Sequence, residues 1–257
     1  MIFDTHSHYD DSAFNDDRNA LLLSLRDKGV ERLVNVGADM ASCRTALALA
    51  EQYDFVFCAL GVHPSEVEGL TEADMQWIRE HAHHEKVVAI GEFGLDCHWQ
   101  EPPLEVQKQW FYRQIELAKE VRLPIIIHSR DAAAETMAIL SETRAYENGG
   151  VVHCYSYSPE MAREYVEMGF YIGVGGVVTF KNAKKLKRTV EEIPLERIVL
   201  ETDCPYMAPE PNRGTRNDSS QLIYVAEKIA ELKGVSTETV IEETTKNAEK
   251  LYGLTHL

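Results

Sequence analysis

His6 and His8 stand two residues apart at the end of the apolar run that opens the chain, MIFDTHSHYD. In an extended strand residues i and i+2 point to the same side, so this spacing aims both imidazoles at one place. The later apolar runs end in the same kind of residue. FVFCALGVHP carries His63, KVVAIGEFGLD carries Glu92, and LPIIIHSR carries His128. GGVVHCYS carries His153 and RIVLETDCPY carries Asp203. One histidine at a strand end reads as an ordinary satisfied polar group. Five histidines with two or three acids at equivalent ends do not, because unpaired polar and charged groups are costly inside a fold. Imidazole and carboxylate together suit Zn²⁺, Mn²⁺ or Fe²⁺, and Mg²⁺ where carboxylate and water dominate. Six ligands exceed the needs of one tetrahedral catalytic ion, so two divalent ions sharing a carboxylate are expected. Such pairs, roughly 3.5–4 Å apart, are common in phosphate-ester chemistry. Glu92 lies on the fourth run, between the first and the fifth and sixth, and is the expected bridge.

The elements that must gather these residues follow from the pattern between them. Near-continuous apolar runs alternate with amphipathic stretches such as QKQWFYRQIELAKEV and SQLIYVAEKIAEL. That alternation means parallel strands covered by helices. Eight such units predict an α/β fold of the (β/α)8 TIM-barrel type, whose C-terminal strand ends open onto one face. A doubly wound open sheet is the competing arrangement. Its G-x-G-x-x-G signal is missing, and GVGGVV at 173–178 reads as small residues where backbones approach closely. The 257 residues, 44% of them hydrophobic, are expected to form one domain spanning 1–257, with no linker composition to divide them. A net charge of −16 argues against a general nucleic-acid coat or a membrane-surface binder. It leaves room for an enzyme that meets nucleic acid only at a metal-lined pocket. Five dispersed cysteines without C-x-x-C, no apolar run near the length of a membrane span and no signal-peptide pattern predict a cytoplasmic protein.

Taken in order, FDTHSH, GVHP, GEFGLD, IIIHSRD, VHCYS and LETDCPY resemble the successive motifs of the TatD family of metal-dependent deoxyribonucleases, in the amidohydrolase superfamily. The resemblance runs from Met1 to TTKNAEKLYGL and covers essentially the whole chain. It implies that His6 and His8 hold a first ion with Asp203, that His128 and His153 hold a second, and that Glu92 bridges them. Relatives in the superfamily often bridge with a carboxylated lysine, and Glu92 at this position favours the TatD branch. The resemblance also implies hydrolysis of DNA phosphodiester bonds, typically from the 3′ end, with single-stranded DNA or 3′ ends as the expected substrate.

Within that chemistry, divalent ions make water a nucleophile near neutral pH. Asp203 is placed to accept the water proton, and its alternative role is ligation alone. His63 is surplus to the metal count. It either contacts the scissile phosphate or protonates the leaving oxygen, or it anchors the loop before Pro64. Glu201 either orients a ligating histidine or forms a buried ion pair. In FKNAKKLKRTV, a helical register puts Lys181, Lys184, Lys185 and Arg188 on one face, as a phosphate-backbone strip or an ordinary solvated face. Lys181, nearest the strand end, is the expected substrate contact, joined by Arg213 and Arg216 in PEPNRGTRNDSS. The family commonly continues Arg-Asn-Glu-Pro where this chain has Arg216, Asn217, Asp218 and Ser219, which leaves that loop's role open. Trp99, Tyr155 and Tyr157 are candidates for stacking unpaired bases or for loop packing. Cys154 and Cys204 read as packing residues. The competing enzyme class is a metal-dependent hydrolase of a small amide, lactone or ester, since fold alone does not fix substrate. A binding protein on an inactive barrel is disfavoured by the complete ligand set.

Overall fold

Strands rich in Val and Ile form parallel sheets when both faces are covered, in a barrel by helices outside and by the facing strands inside. The structure, a computed structural model, describes residues 1–99 and 101–255 and follows that rule. Among the described residues eight strands run in sequence order around one sheet, every neighbouring pair parallel. They are β1 (Ile2–Ser7), β2 (Val30–Val36), β3 (Val56–Leu60), β4 (Val87–Asp96), β5 (Ile125–Arg130), β6 (Gly150–Val152), β7 (Tyr171–Val174) and β8 (Ile198–Leu200). The helices are α1 (Arg18–Leu25), α2 (Met40–Gln52), α3 (Glu72–His81), α4 (Leu104–Val121), α5 (Ala133–Glu142), α6 (Pro159–Glu167), α7 (Lys184–Glu192), α8 (Leu222–Lys233) and α9 (Thr237–Leu251). The expected (β/α)8 barrel is therefore what the chain forms. No helix among the described residues is long and apolar enough to cross a membrane.

Side chains from all eight strands, Phe3, Phe57, Tyr171 and Val199 among them, form a core cluster of their own inside the barrel. Ala248, Leu251 and Tyr252 at the end of α9 join it and plug the lumen. Asn247 ties that plug to the start of β8, its amide donating to the Leu195 and Ile198 carbonyls. The second, larger core cluster lies between the strands and the helices.

Two bulges decide what faces the mouth. Phe3 faces the lumen, so strict alternation would send His6 outward. Between Asp4 and Ser7, β1 advances three residues against two of β2, from Leu33 to Asn35. The extra residue reverses the parity and turns His6 and His8 inward. β4 repeats the device. From Ile90 to Phe93 it advances three residues against two of β5, and Glu92 turns inward while Ile90 and Phe93 stay with the outer core. The β4 backbone lies so close to β5 that a Cβ on Gly94 would fall onto the His128 carbonyl oxygen.

The barrel closes beyond the regular part of β8. The Asp203 N–H donates to the His6 carbonyl at 2.9 Å, and the His8 N–H to the Cys204 carbonyl at 2.9 Å. Asp4 locks this seam from the outer side. Its carboxylate accepts from the Thr202 N–H at 3.0 Å, the Thr202 hydroxyl at 2.7 Å and the Ser219 hydroxyl at 2.6 Å. The Tyr9 hydroxyl completes the network on Ser219. Asp4 is fully buried, so removing its carboxylate strands several buried donors at once. Asp4→Ala is expected to lower unfolding stability by about 2–4 kcal/mol, read from urea midpoints. A loss below about 0.5 kcal/mol would contradict a seam held by this carboxylate.

Candidate metal centre

Glu92, at the β4 bulge, presents its two oxygens to different neighbours. Oε2 lies 3.2 Å from His6 Nε2 and 3.4 Å from His153 Nε2. Oε1 lies 3.8 Å from His63 Nε2. On the first side, His6 Nε2 and His8 Nε2 are 3.1 Å apart, and Asp203 Oδ1 is 3.7 and 3.3 Å from them. The ligand atoms of His6, His8 and Asp203 all lie within 4.8 Å of one another, as do those of His63, Glu92 and His128.

The outer contacts fix which atoms face inward. The Val36 carbonyl can only accept, so His8 Nδ1 carries a proton and donates to it at 2.9 Å, leaving Nε2 toward the centre. His153 Nδ1 faces Glu201 Oε2 at 3.2 Å in the same way. Glu201 is thus the orienting partner of His153, and Gly173 leaves the space that its carboxylate fills. Asp203 sits at φ 55°, a left-handed turn directly after the barrel seam. Glu92 Oε2 is buried without a well-formed hydrogen bond, and so is His6 Nδ1. A buried carboxylate oxygen without a well-formed hydrogen bond, set among inward-facing imidazole nitrogens and a second carboxylate, is the environment of a cation. The donor set fits Zn²⁺, Mn²⁺ or Fe²⁺.

Charge in this cluster is balanced by protons in the metal-free state. Burial opposes charge on His8, but Asp203, Glu92 and Asp10 outweigh it and raise the ring to about 9. Burial likewise opposes charge on His153, and Glu201, Glu92 and Asp203 raise it to about 10. Burial also disfavours ionised Glu92 and Asp203, yet the surrounding imidazoles hold both below the usual carboxylate range.

His63 differs from the ligands. It caps the turn at residues 64–69, its Nδ1 accepting from the Ser65 N–H at 3.1 Å. A neutral ring in this position carries its proton on Nε2, the atom facing Glu92. Burial and neighbouring His128 push its titration down to about 4, which keeps it neutral. The loop-anchor role and a hydrogen-bond-donor role therefore coexist in one side chain.

His128 and His153, the expected pair on a second ion, face the centre from neighbouring strands, β5 and the end of β6. Their rings are 6.3 Å apart. His153 stacks on His6 with ring centroids 3.6 Å apart, on the first side of Glu92. His128 packs edge-on against His63 at 4.2 Å and meets Asp96 Oδ2 at 3.2 Å. Asp96 was not legible as a site residue, although it sits in the quoted GEFGLD. Its carboxyl is held at about 2, where the His128 hydrogen bond and charge outweigh the cost of burial.

The centre opens into a cavity of about 890 Å³. Asp10, Asp11, Asp39, Glu66 and Asp96 line it with Glu92 and Asp203, and Arg130 is the one Lys or Arg among its lining residues. Arg130 was also missed, because it reads as the exposed end of a strand. Trp99 and Tyr206 line the same cavity with large exposed surfaces, 60% and 56%.

The other expected substrate contacts lie elsewhere. Arg216 pairs with Asp17 at 2.6 Å, donates to the Ala13 carbonyl and stacks on Phe14. It is a clamp between the loop after β8 and the segment after β1, and its donors are already engaged. Beside it, buried Asn217 donates to the Thr202 and Tyr206 carbonyls, and Asp218 caps the following turn. Lys181 is exposed and precedes α7, so it is out of helical register with Lys184, Lys185 and Arg188. Arg188 pairs with Glu192 and Glu160, which makes the strip an ordinary solvated face. Arg213 lies outside the metal cavity, stacked on Phe180 at 4.2 Å. Tyr155 and Tyr157 are loop packing, their hydroxyls bonded to Ser158 and to Ser129 and Ala132. Burial pushes the thiols of Cys154 and Cys204 upward, consistent with packing.

Comparison with known proteins gives a consistent picture. The model of the family described as TatD related DNase matches residues 3–253. YabD of Bacillus subtilis, named an uncharacterized metal-dependent hydrolase, is 48% identical over 252 residues, covering 98% of this chain and 99% of that protein. YcfH of Escherichia coli K12, named in the same words, is 35% identical over 255 residues, covering 98% and 96%. The crystal structure of YjjV, a TatD homolog from E. coli K12, superposes with a TM-score of 0.92 at 31% identity, covering 98% of each chain.

Divalent ions bind neutral imidazole, so loading the metal-free protein at pH 7 must displace the protons held on His8 and His153. Release of about two protons is expected, read from titration calorimetry in buffers of different ionisation enthalpy. Heats independent of buffer would contradict it.

Proposed function

The chain belongs to the TatD-related DNase family and is a metal-dependent hydrolase of that type, and from this premise we propose that it hydrolyses phosphodiester bonds at DNA ends with two divalent ions. The observation that carries the proposal is Glu92, whose two oxygens face separate clusters of imidazoles and acids. A carboxylate shared in this way is what a paired-ion centre for phosphate esters needs. When bound, such ions lower the pKa of water and offset charge on phosphoryl oxygens.

The chain's own residues supply the rest. His6, His8 and Asp203 would hold one ion and His128 and His153 the other, with Glu92 shared between them. Asp203, kept ionised by the surrounding imidazoles, accepts the proton of the attacking water. His63 donates a hydrogen bond from Nε2 toward the phosphate or the leaving oxygen, its ring fixed by Ser65. Trp99 offers a face on which an unpaired base can stack, and Arg130 a guanidinium for an anionic oxygen. One observation favours the small-ester reading as the second choice: acids outnumber arginine on the cavity wall, which disfavours a long polyanion.

The test is turnover on 3′-labelled and 5′-labelled single-stranded DNA, with metal-stripped protein and protein reloaded with Mg²⁺, Mn²⁺ or Zn²⁺. Metal-dependent shortening from the 3′ end, abolished in Glu92→Ala, is expected. No cleavage by protein carrying two ions per chain would overturn the DNA reading and shift the assignment to a small ester or amide. His63→Ala is expected to lower kcat by roughly 10²–10³-fold with metal content intact. Unchanged turnover would leave His63 as a loop anchor alone.

A further inference from the structure

Tyr206 lines two cavities. One is the metal cavity, and the other is a groove of about 400 Å³ on its far side, walled by Phe180, Met207, Arg213 and Thr215. The Tyr206 hydroxyl donates to Asp11 Oδ2 at 2.9 Å, which pins the ring as a partition while leaving it 56% exposed. Buried Asn217 holds the backbone beneath it through the Tyr206 carbonyl. The groove therefore adjoins the site of chemistry across the Tyr206 ring and is built on a braced loop.

Arg213 is the second observation. Its guanidinium stacks 4.2 Å from the Phe180 centroid, a contact that orients the fork without using its N–H groups. Among the described residues no carboxylate forms an ion pair with it, in a chain of net charge −16. Its neighbour Arg216 shows the alternative, with its donors spent on Asp17 and Ala13. The wall of the metal cavity after β2 and β3 carries Asp39 and Glu66, and Asp10 lies after β1. A polyanion crossing the mouth is repelled there and attracted here.

We propose that this groove binds the nucleotide next to the scissile phosphodiester, with its phosphate on the Arg213 fork and its base against Tyr206. The inference rests on the phosphodiester reading of the metal cavity and extends it to a subsite beyond that cavity. A stacked, unpaired guanidinium beside an exposed aromatic ring matches a phosphate linked to a planar base, and matches a small neutral ester poorly.

The test compares Arg213→Ala, Arg213→Lys and the parent chain. Binding of a fluorescent single-stranded oligonucleotide is read by anisotropy on non-cleaving Glu92→Gln protein across a salt series. Turnover is read on the oligonucleotide and on bis(4-nitrophenyl) phosphate, which is too short to span both cavities. For Arg213→Ala, oligonucleotide affinity is expected to fall about tenfold, with the salt slope shallower by about 0.7. The ratio of kcat/KM for oligonucleotide to that for the small diester falls by a similar factor, through KM, and Arg213→Lys recovers part of the loss. Equal binding by Arg213→Ala and parent overturns the groove while leaving the nuclease reading intact. A parallel fall on both substrates also overturns it, by showing that Arg213 only supports the loop. A parent chain that hydrolyses the small diester but binds no oligonucleotide overturns the DNA reading and the groove together.

Discussion

One buried carboxylate, Glu92, stands among imidazole nitrogens without a well-formed hydrogen bond to its Oε2, and the mouth of the barrel is arranged around its charge. Imidazole nitrogens of His6 and His153 face it, the second with its outer nitrogen committed to Glu201, and Asp203 adds another negative oxygen. Such a cluster is stable only with positive charge inside it. Protons on His8 and His153 supply it in the metal-free state, and bound metal would supply it in the working enzyme. Protonation and metal binding thus compete for the same few ångströms, and the outer partners Val36 and Glu201 keep the rings aimed whichever wins.

The scaffold must hold that cluster against its own repulsion. It does so with backbone irregularities. The β1 bulge brings His6 and His8 out of the outer layer, and the β4 bulge does the same for Glu92. Asp4 then binds the β1 segment carrying the histidines to the segment carrying Asp203, so the two halves of the first cluster share one hydrogen-bond network. The α9 plug fills the opposite end of the lumen, leaving the mouth as the entrance to the buried centre.

The barrel was legible because its strands are uninterrupted apolar runs and the candidate ligands end them. What escaped is informative. Asp4 lies in the same FDTHSH motif as the histidines, but whether it faces ligand or seam depends on a bulge that leaves no mark in residue type. Arg216 looked like a phosphate contact because its partner Asp17 is 199 residues away in sequence. Asp96 and Arg130 each occupy a position that reads as ordinary strand end until the cavity wall is complete. Arg213 was legible as a cation near the site, but not the groove that gives its charge a direction.

The proposed two-ion centre requires Glu92 to stand between the ions. Anomalous diffraction from crystals equilibrated with Mn²⁺ tests this most directly. Two peaks flanking the Glu92 carboxylate are predicted, roughly 3.5–4 Å apart, one beside His6, His8 and Asp203 and the other on the His128 side. A single peak with Glu92 bound through one oxygen only would contradict it.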